Sequence, residues 1–328
     1  MTSRLIIMKR RSIELPIQVK TGYKGRFRLE AIRLDGTKRF LAEFDNLITN
    51  GGMDMLSGSA NPTGLCAVGS GNATPQFTDT SLQTLVASTN NLISATTSAA
   101  STSPYYGQTI YTWQFPVGAA TGNLSEVGAG PSTSNLFSRA LILDSMGSPT
   151  TITVLSNEAL NVVYTLQQYV PLTDVTGNIS LGGTSYPYLI RALAATNAGV
   201  WTWDTRFAGP YLNGTFTQQA WGAFASSGVP KAITAGLVLP GAPGDTYTNM
   251  SYTSGSYEAD IQVQWSINAG NTGSGLNWFQ ISLGNYGNVA TSTQNRGAYQ
   301  VWISSGPAIP KDNTKVLTLN FSCVWARH

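Results

Sequence analysis

Regular alternation of apolar and polar side chains between residues 110 and 171 constrains the fold of this chain more than any other feature. Three segments there carry apolar residues at every second position: Tyr111, Trp113 and Phe115; Ile152 and Val154; and Leu160, Val162, Tyr164 and Leu166. A period of two is typical of half-buried β-strands, because successive side chains point to opposite faces. Pro171 ends the last segment, since proline has no N–H to donate to a ladder. The stretch therefore predicts three strands connected by loops.

The same period returns near the end of the chain. Three segments carry it: Ile261, Val263, Trp265 and Ile267; Tyr299, Val301 and Ile303; and Leu317, Leu319, Phe321, Cys323 and Trp325. Near the start, residues 26–34 and 37–44 flank Asp35-Gly36, a dipeptide that favours a two-residue hairpin turn. A short helix is predicted within residues 46–56, with Met53 and Leu56 facing inward. The fold class predicted is all-β, with two β-sandwich or jelly-roll-like domains, an N-terminal hairpin and few short helices.

The predicted organisation has three parts. Residues 1–24 mix basic and apolar side chains around Pro16 and are assigned to a basic N-terminal arm. Residues 25–172 form an N-terminal β domain and residues 173–328 a C-terminal β-sandwich domain, because the segment after residue 172 is typical of a linker or crossover. Residues 81–103 are mostly Ser, Thr, Ala and Asn, which favours either packing between like subunits or a flexible loop.

Two isolated charges indicate a structural contact. Glu126 and Arg139 are the only charged residues between Asp79 and Asp144. An unpaired charge in such apolar surroundings would be costly, so we expect the two side chains to pair and to join neighbouring strands. A catalytic role for Glu126 is the less favoured alternative.

Charge is scarce and unevenly distributed. Only 11% of the residues are charged, against about a quarter in typical soluble domains. Residues 1–45 hold 11 of the 19 lysines and arginines against 5 acids, a balance of +6, while the other 8 cations and 11 acids give −3. We expect this basic part to dock on an acidic protein partner, with a solvated basic edge or nucleic-acid binding as alternatives. The candidate docking residues are Arg10, Arg11, Lys20, Lys24, Arg26 and Arg28.

Aromatic residues cluster between residues 201 and 224. Aromatic side chains on loops can stack on sugars, and nearby charged groups can bond to sugar hydroxyls. Core packing is the favoured alternative, and subunit contacts are a third. The candidate glycan-binding residues are Trp201, Trp203, Asp204, Arg206, Tyr211 and Trp221.

Composition argues against catalysis. The only histidine is His328, so Ser-His-Asp and Cys-His systems and histidine metal sites are not expected. Glu258 and Asp260 could form a glycosidase-type pair, but we interpret them as charges that protect a strand edge. We predict that the protein is not an enzyme and uses no cofactor or metal.

Two cysteines and the hydropathy pattern bear on the compartment. Cys66 and Cys323 lack metal-ligand spacing and are predicted to be buried thiols, with a disulfide between them less favoured. The apolar run at residues 5–8 is too short for a signal peptide, and no run approaches the length of a membrane span. We therefore expect no membrane insertion.

Several motifs together resemble structural proteins of tailed bacteriophages. They are Gly-Asn-Leu-Ser-Glu-Val-Gly at 122–128, Leu-Phe-Ser-Arg-Ala-Leu-Ile at 136–142, Pro-Thr-Thr-Ile-Thr-Val-Leu at 149–155, Val-Val-Tyr-Thr-Leu-Gln-Gln-Tyr at 162–169, and an ending with Pro307-Ala-Ile-Pro-Lys, Leu317-Thr-Leu-Asn-Phe and Trp-Ala-Arg. The resemblance covers most of the chain from about residue 40 and is to proteins of the tail-fibre or tail-tip kind. It carries no catalytic signature.

The resemblance implies a function in the virion. We expect a structural component of a phage tail, a tail-fibre or tail-tip protein that contributes to assembly and host attachment after being made in the host bacterial cytoplasm. Expected partners are further copies of the chain, as a homotrimer or hexameric ring, other tail proteins, and host surface glycan, but no nucleic acid. A collar or head-decoration protein without host contact, and a carbohydrate-binding or depolymerase module, are the alternatives.

Overall fold

A computed structural model describes most of the chain, and nearly all of its regular structure is β. The described residues are 17–59, 63–100, 102–193, 221–226, 228–234, 242–243, 246–249, 252–283 and 298–328. Within them, strands β1 to β11 run over Ile17–Arg33, Lys38–Asp45, Leu47–Ile48, Leu65–Gly69, Leu85–Thr89, Leu92–Ala99, Tyr106–Phe115, Gly122–Leu124, Glu126–Gly130, Ser138–Leu141 and Ile152–Val154. Strands β12 to β21 run over Glu158–Tyr169, Val175–Leu181, Thr184–Leu193, Trp221–Ser226, Ala242–Pro243, Thr246–Asn249, Glu258–Trp265, Trp278–Leu283, Ala298–Ile303 and Leu317–Arg327. The all-β prediction is confirmed.

The strands form four sheets. The large sheet has the order β17-β18-β21-β1-β12-β7-β6, and β2 pairs with the second half of β1. A five-stranded sheet has the order β3-β10-β9-β4-β5, and a six-stranded sheet the order β13-β14-β20-β19-β15-β16. The strands β11 and β8 form a separate antiparallel pair. The large sheet therefore takes strands from both sides of residue 172.

Strand β1 lies at the centre of the large sheet. Its first part pairs in parallel with β21, from Ile17 opposite Phe321 to Tyr23 opposite Arg327. Its second part pairs with β2, and its other edge pairs with β12 from Gly22 to Arg33. Val19 and Tyr23 are buried in the core. The assignment of residues 17–24 to an arm is therefore wrong, because residues 17–23 pair with β21 and residues from Gly22 onward pair with β12. Residues 1–16 lie outside the described residues.

The predicted hairpin is confirmed, but its turn is longer than the predicted two-residue turn, because residues 34–37 separate β1 from β2. Strands β1 and β2 are joined by a tight turn in which Gly36 has a φ of +82°, the left-handed region that glycine adopts without a steric penalty. The Arg33 N–H donates to the Thr37 carbonyl at 2.9 Å, and the Thr37 N–H donates to the Asp35 carboxylate at 2.9 Å. The turn therefore sets the register of the ladder next to it, and the register shifts further along, between Leu29 and Glu30.

The apolar residues of the alternating segments form the inner face of the large sheet. Tyr111, Trp113 and Phe115 on β7 are fully buried, as are Leu160, Val162 and Tyr164 on β12. Tyr164 contacts the ring of Phe137, next to the five-stranded sheet, with 6.5 Å between centroids. Trp265 on β18 contacts Phe279 of the six-stranded sheet at 5.8 Å. One hydrophobic core thus lies between the large sheet and both smaller sheets, which supports the β-sandwich prediction.

The short helix is confirmed. Helix α1 spans Asn50–Asp54 and continues into a π-helical turn, Met55–Ser59. The Thr49 hydroxyl caps it by accepting from the Gly52 N–H at 2.8 Å. Met53 and Leu56 face inward and are fully buried, as predicted. The indole of Trp325 donates to the Met53 carbonyl at 2.8 Å and so joins β21 to the helix.

Two further predictions have clear outcomes. Cys66 on β4 and Cys323 on β21 are buried free thiols, as predicted, and burial raises the pKa of both.

Strand β18 ends at Trp265, and Ile267 is 46% exposed in the turn that follows. The predicted extension of alternation to Ile267 is therefore wrong, because the chain reverses at residues 266–269, where the Ala269 N–H donates to the Ser266 carbonyl.

Candidate functional site

The outer face of the large sheet carries amide and hydroxyl side chains that bond to one another across strands. Gln167 on β12 donates to Gln108 on β7 at 3.0 Å, and Gln108 donates to Ser98 on β6 at 2.9 Å. On the far side of β1, Gln262 on β18 donates to Asn320 on β21 at 3.0 Å. Neutral polar groups of this kind can meet a partner without the cost of desolvating charge. We take this face and its edges as the candidate functional surface.

Four of the six cations predicted to dock a partner are described; they lie on the same face, and three of them are already paired. Lys24 contacts Asp45 at 2.9 Å, Arg26 contacts Glu43 at 3.1 Å and Arg28 contacts Glu30 at 2.5 Å. These pairs are solvent-exposed cross-strand or same-strand contacts, so each adds little to stability. Their carboxylates nevertheless reduce the positive field that was expected to attract an acidic partner. Lys20 lies exposed on the same face, and Arg10 and Arg11 lie outside the described residues.

The two edges next to this face differ in charge. Strand β2, beside β1, carries Lys38, Arg39, Glu43 and Asp45. Strand β6, at the far edge, has the sequence Leu-Ile-Ser-Ala-Thr-Thr-Ser-Ala and no charge. Residues 85–99, for which the sequence left open a loop or a packing surface, form β5 and β6. An uncharged edge strand is a ready template for pairing with another strand.

Glu126 and Arg139 form the structural pair that the sequence predicts. Glu126 starts β9 and Arg139 lies on the neighbouring β10; both are buried, and Arg139 Nη2 lies 2.8 Å from Glu126 Oε2. The carboxylate also accepts from the backbone N–H groups of Gly71, Gln83 and Thr84, so that all its bonds are internal. The guanidinium in turn bonds to Asp79 at 2.5 Å and to the Ala73 carbonyl at 3.0 Å.

Close glycine packing surrounds this carboxylate. A Cβ atom at Gly71 would lie 2.4 Å from Glu126 Oε1, and one at Gly69 would lie 2.7 Å from the same oxygen. Only glycine lets the backbone approach the carboxylate this closely. The Gly71 N–H therefore binds an anion that belongs to the chain itself, and the enclosed carboxylate ties the one loop between β4 and β5 to β9 and, through Arg139, to β10.

The predicted glycan-binding residues lie almost entirely outside the described residues. These are Trp201, Trp203, Asp204, Arg206 and Tyr211; Trp221 begins β15 of the six-stranded sheet. Only one of the six is therefore described, and their role in glycan binding stays a prediction.

A polar cluster that sequence reasoning missed lies on the six-stranded sheet. Gln300 is fully buried, accepts from the Lys231 N–H at 2.7 Å and donates to the Lys231 carbonyl at 2.7 Å. Trp278 donates to the same amide oxygen at 3.2 Å, and Arg191 bonds to the Lys231 carbonyl at 2.9 Å. Residues 228–234 are therefore held across β14 and β20. Alternation with Tyr299 and Val301 places Gln300 on the opposite face of the strand, but no local signal in the sequence indicates that residues 228–234 cover that face.

Glu258 and Asp260 lie on the part of β18 that pairs only with β21 among the described strands, and their interpretation as charges that protect a strand edge stays a prediction. Strand β18 begins at Glu258, so both residues lie on it, and Glu258 accepts from Gln18 at 3.1 Å. Both pair with β21, and β17 pairs with β18 from Ile261 onward. Within the described part of the chain, no three His, Cys, Asp or Glu side chains group as a metal site would require. No helix there has the length and apolar character to cross a membrane.

Comparison with known protein families, with curated proteins and with solved structures finds no match for this chain. The class of molecule is therefore defined by its own fold and surface. It is an all-β protein whose large sheet presents a mostly neutral, hydrogen-bonded outer face and an uncharged edge.

Proposed function

We propose that this chain is a non-enzymatic structural subunit of a bacteriophage tail, of the tail-fibre or tail-tip kind, that works as a closed homo-oligomer. The observation that carries the proposal is the outer face of β12, β7 and β6. Residues 159–169, 106–115 and 92–99 include no charged side chain. A face of this width can be covered by another protein without leaving a buried charge unpaired. The phage-like motifs between residues 122 and 169 support the virion as its setting.

Assembly uses the start of the chain in this proposal. Because Lys24, Arg26 and Arg28 are paired with carboxylates, docking on other tail proteins falls to Arg10, Arg11 and Lys20. Deletion of residues 1–16 leaves β1 intact and removes two of these three cations. Deletion of residues 1–24 would remove part of a central strand and would test folding instead.

Localisation in particles tests the virion assignment. Antibodies raised against the purified chain should label the tail of phage particles released from the source cells, and mass spectrometry of those particles should detect the chain. Labelling of the neck or head would replace the proposal with a collar or head-decoration protein. Absence from every purified particle would overturn a virion function.

Host contact is tested with the purified chain. If the tail subunit contacts the host, the chain should bind host cells or extracted surface polysaccharide, and Trp201→Ala and Trp203→Ala should weaken that binding. Release of soluble sugar from the polysaccharide would instead support a depolymerase. Labelled tails without binding to cells would leave a structural subunit that has no receptor contact.

A further inference from the structure

Within the described part of the chain, strand β6 pairs with another strand on one side only. On its inner side β6 pairs with β7, from Ser94 opposite Thr112 to Ala99 opposite Gly107. The Ala100 N–H donates to the Tyr106 carbonyl at 2.8 Å, which fixes the phase of the ladder. In an antiparallel pair, hydrogen-bonded and non-bonded residues alternate. The N–H and C=O groups of Ala95, Thr97 and Ala99 therefore point away from β7, and no described strand pairs with them.

The devices that usually protect an edge are missing from this part of β6. Edge strands are commonly guarded by charges, proline or bulges. Strand β2 of the same sheet carries four charges, whereas β6 carries no charge and no proline. The irregularity in β6 lies between Leu92 and Ser94, so that residues 94–99 keep a regular register. Leu92 and Ile93, just before it, are 39% and 48% exposed.

We propose that β6 pairs antiparallel with β6 of a second copy of this chain, about a two-fold axis. In such a contact the two partner strands have the same sequence and run in opposite directions. A charged residue on β6 would therefore lie close to the like charge of its counterpart in the second copy. A strand without charge meets this condition, as does the flanking segment 80–91. A charged partner strand would instead bury charges for which β6 offers no counter-charge.

The contact also continues the existing architecture. Pairing at β6 joins the two large sheets into one, and the row from Gln167 through Gln108 to Ser98 continues into the same row of the second copy. The exposed Leu92 and Ile93 of one copy lie beside the far end of the other strand, where they lose contact with water. Because a single strand pair buries a small area, we expect a reversible dimer in the micromolar range.

Sedimentation velocity of the full chain over a range of concentrations tests this pairing. The 34.9 kDa monomer should give way to a species of twice that mass as concentration rises. Thr97→Pro removes one outward N–H, and proline is tolerated at such edge positions. Thr96→Lys places a lysine at an exposed position of β6, where in the dimer it would lie close to the same lysine of the second copy. Each variant should raise the dimer dissociation constant at least tenfold.

Controls separate this edge from a general effect of the substitutions. Thr176→Lys introduces the same change at an exposed threonine of β13, an edge strand of the six-stranded sheet, and should leave the dimer unchanged. Thr96→Gln should also dimerise, since it adds bulk without charge. Circular dichroism and thermal melting show whether each variant is folded. If Thr97→Pro fails to fold, the proposal is tested by comparing the dimer dissociation constants of Thr96→Lys and Thr96→Gln.

Three results would overturn the proposal: a monomer at all concentrations, an odd-numbered oligomer unaffected by Thr96→Lys, or equal loss of association in Thr176→Lys. The inference does not depend on the virion assignment. Particles that contain the chain while β6 variants associate normally would remove the dimer contact and leave the proposed tail function standing.

Discussion

Arg139 donates two hydrogen bonds to one carboxylate oxygen of Glu126, from Nε at 3.1 Å and from Nη2 at 2.8 Å, where both side chains are buried. Removing one partner of a buried pair leaves the other charge uncompensated. Arg139→Met should therefore lower the free energy of unfolding by about 3–5 kcal/mol in urea denaturation. Arg26→Gln, which removes a cation from an exposed pair, should cost at most about 1 kcal/mol. Equal losses would show that burial does not determine the strength of the pair.

Two adjacent glycines of helix α1 should respond with opposite signs. A Cβ at Gly52 would lie 2.0 Å from the Phe137 carbonyl oxygen, which belongs to the backbone and cannot rotate away. Gly52→Ala should destabilise the fold by about 1–3 kcal/mol. At Gly51 the nearest atom to a Cβ is 3.7 Å away, so Gly51→Ala should stabilise the helix by about 0.5–1 kcal/mol. Thermal melting of both variants checks this, and a loss for Gly51→Ala would contradict it.

Acid should weaken a contact between β2 and β12. Hydrogen bonds from Arg39 and from the Leu155 N–H lower the pKa of Glu158 below its ordinary value of 4.5. Because the folded pKa is the lower one, this stabilisation is complete above pH 4.5 and is lost as pH falls through the folded value. The difference in unfolding free energy between the wild type and Glu158→Gln should shrink below that pH. Arg39→Met removes the main cause of the lowered pKa, so the free energy of unfolding should depend less on pH below 4.5. An unchanged pH dependence would exclude Arg39 as the cause.

Thiol chemistry should report on the intact core. Cys66 and Cys323 are fully buried, and burial raises the pKa of each, so neither supplies a thiolate at neutral pH. A thiol reagent should leave the native chain unmodified and modify both cysteines in guanidinium. Cys66→Ser and Cys323→Ser identify which site reacts if labelling occurs early. Rapid labelling of the native chain at Cys323 would show that β21 opens without global unfolding.

Local patterns were enough to predict many elements but not their partners. Alternation at residues 111–115 and 160–166 marks β7 and β12, and Asp35-Gly36 marks the hairpin. The isolation of Glu126 and Arg139 predicts their pairing, because a buried charge needs a counter-charge. Strand β6 was not predicted, since its Ser, Thr and Ala residues show no apolar period.

The position of β1 was harder to predict. Ile17 and Val19 alternate with Gln18 and Lys20, and this is the period of a strand, but the nearby charges suggested a solvated arm. The parallel partner of this segment lies at the other end of the sequence, and neither segment carries a local signal for the other. The pairing results from the tertiary fold as a whole.

That pairing also constrains how the protein is made. Strand β1 begins at residue 17, while the strand that pairs with its first part ends at residue 327. On the ribosome, residues 17–23 of β1 must wait for this partner until residues 321–327 have been synthesised. Contacts this distant in sequence slow folding and extend the time during which an edge can pair wrongly. Translation speed and chaperone occupancy should therefore influence the yield of this protein more than that of a chain whose sheets close locally.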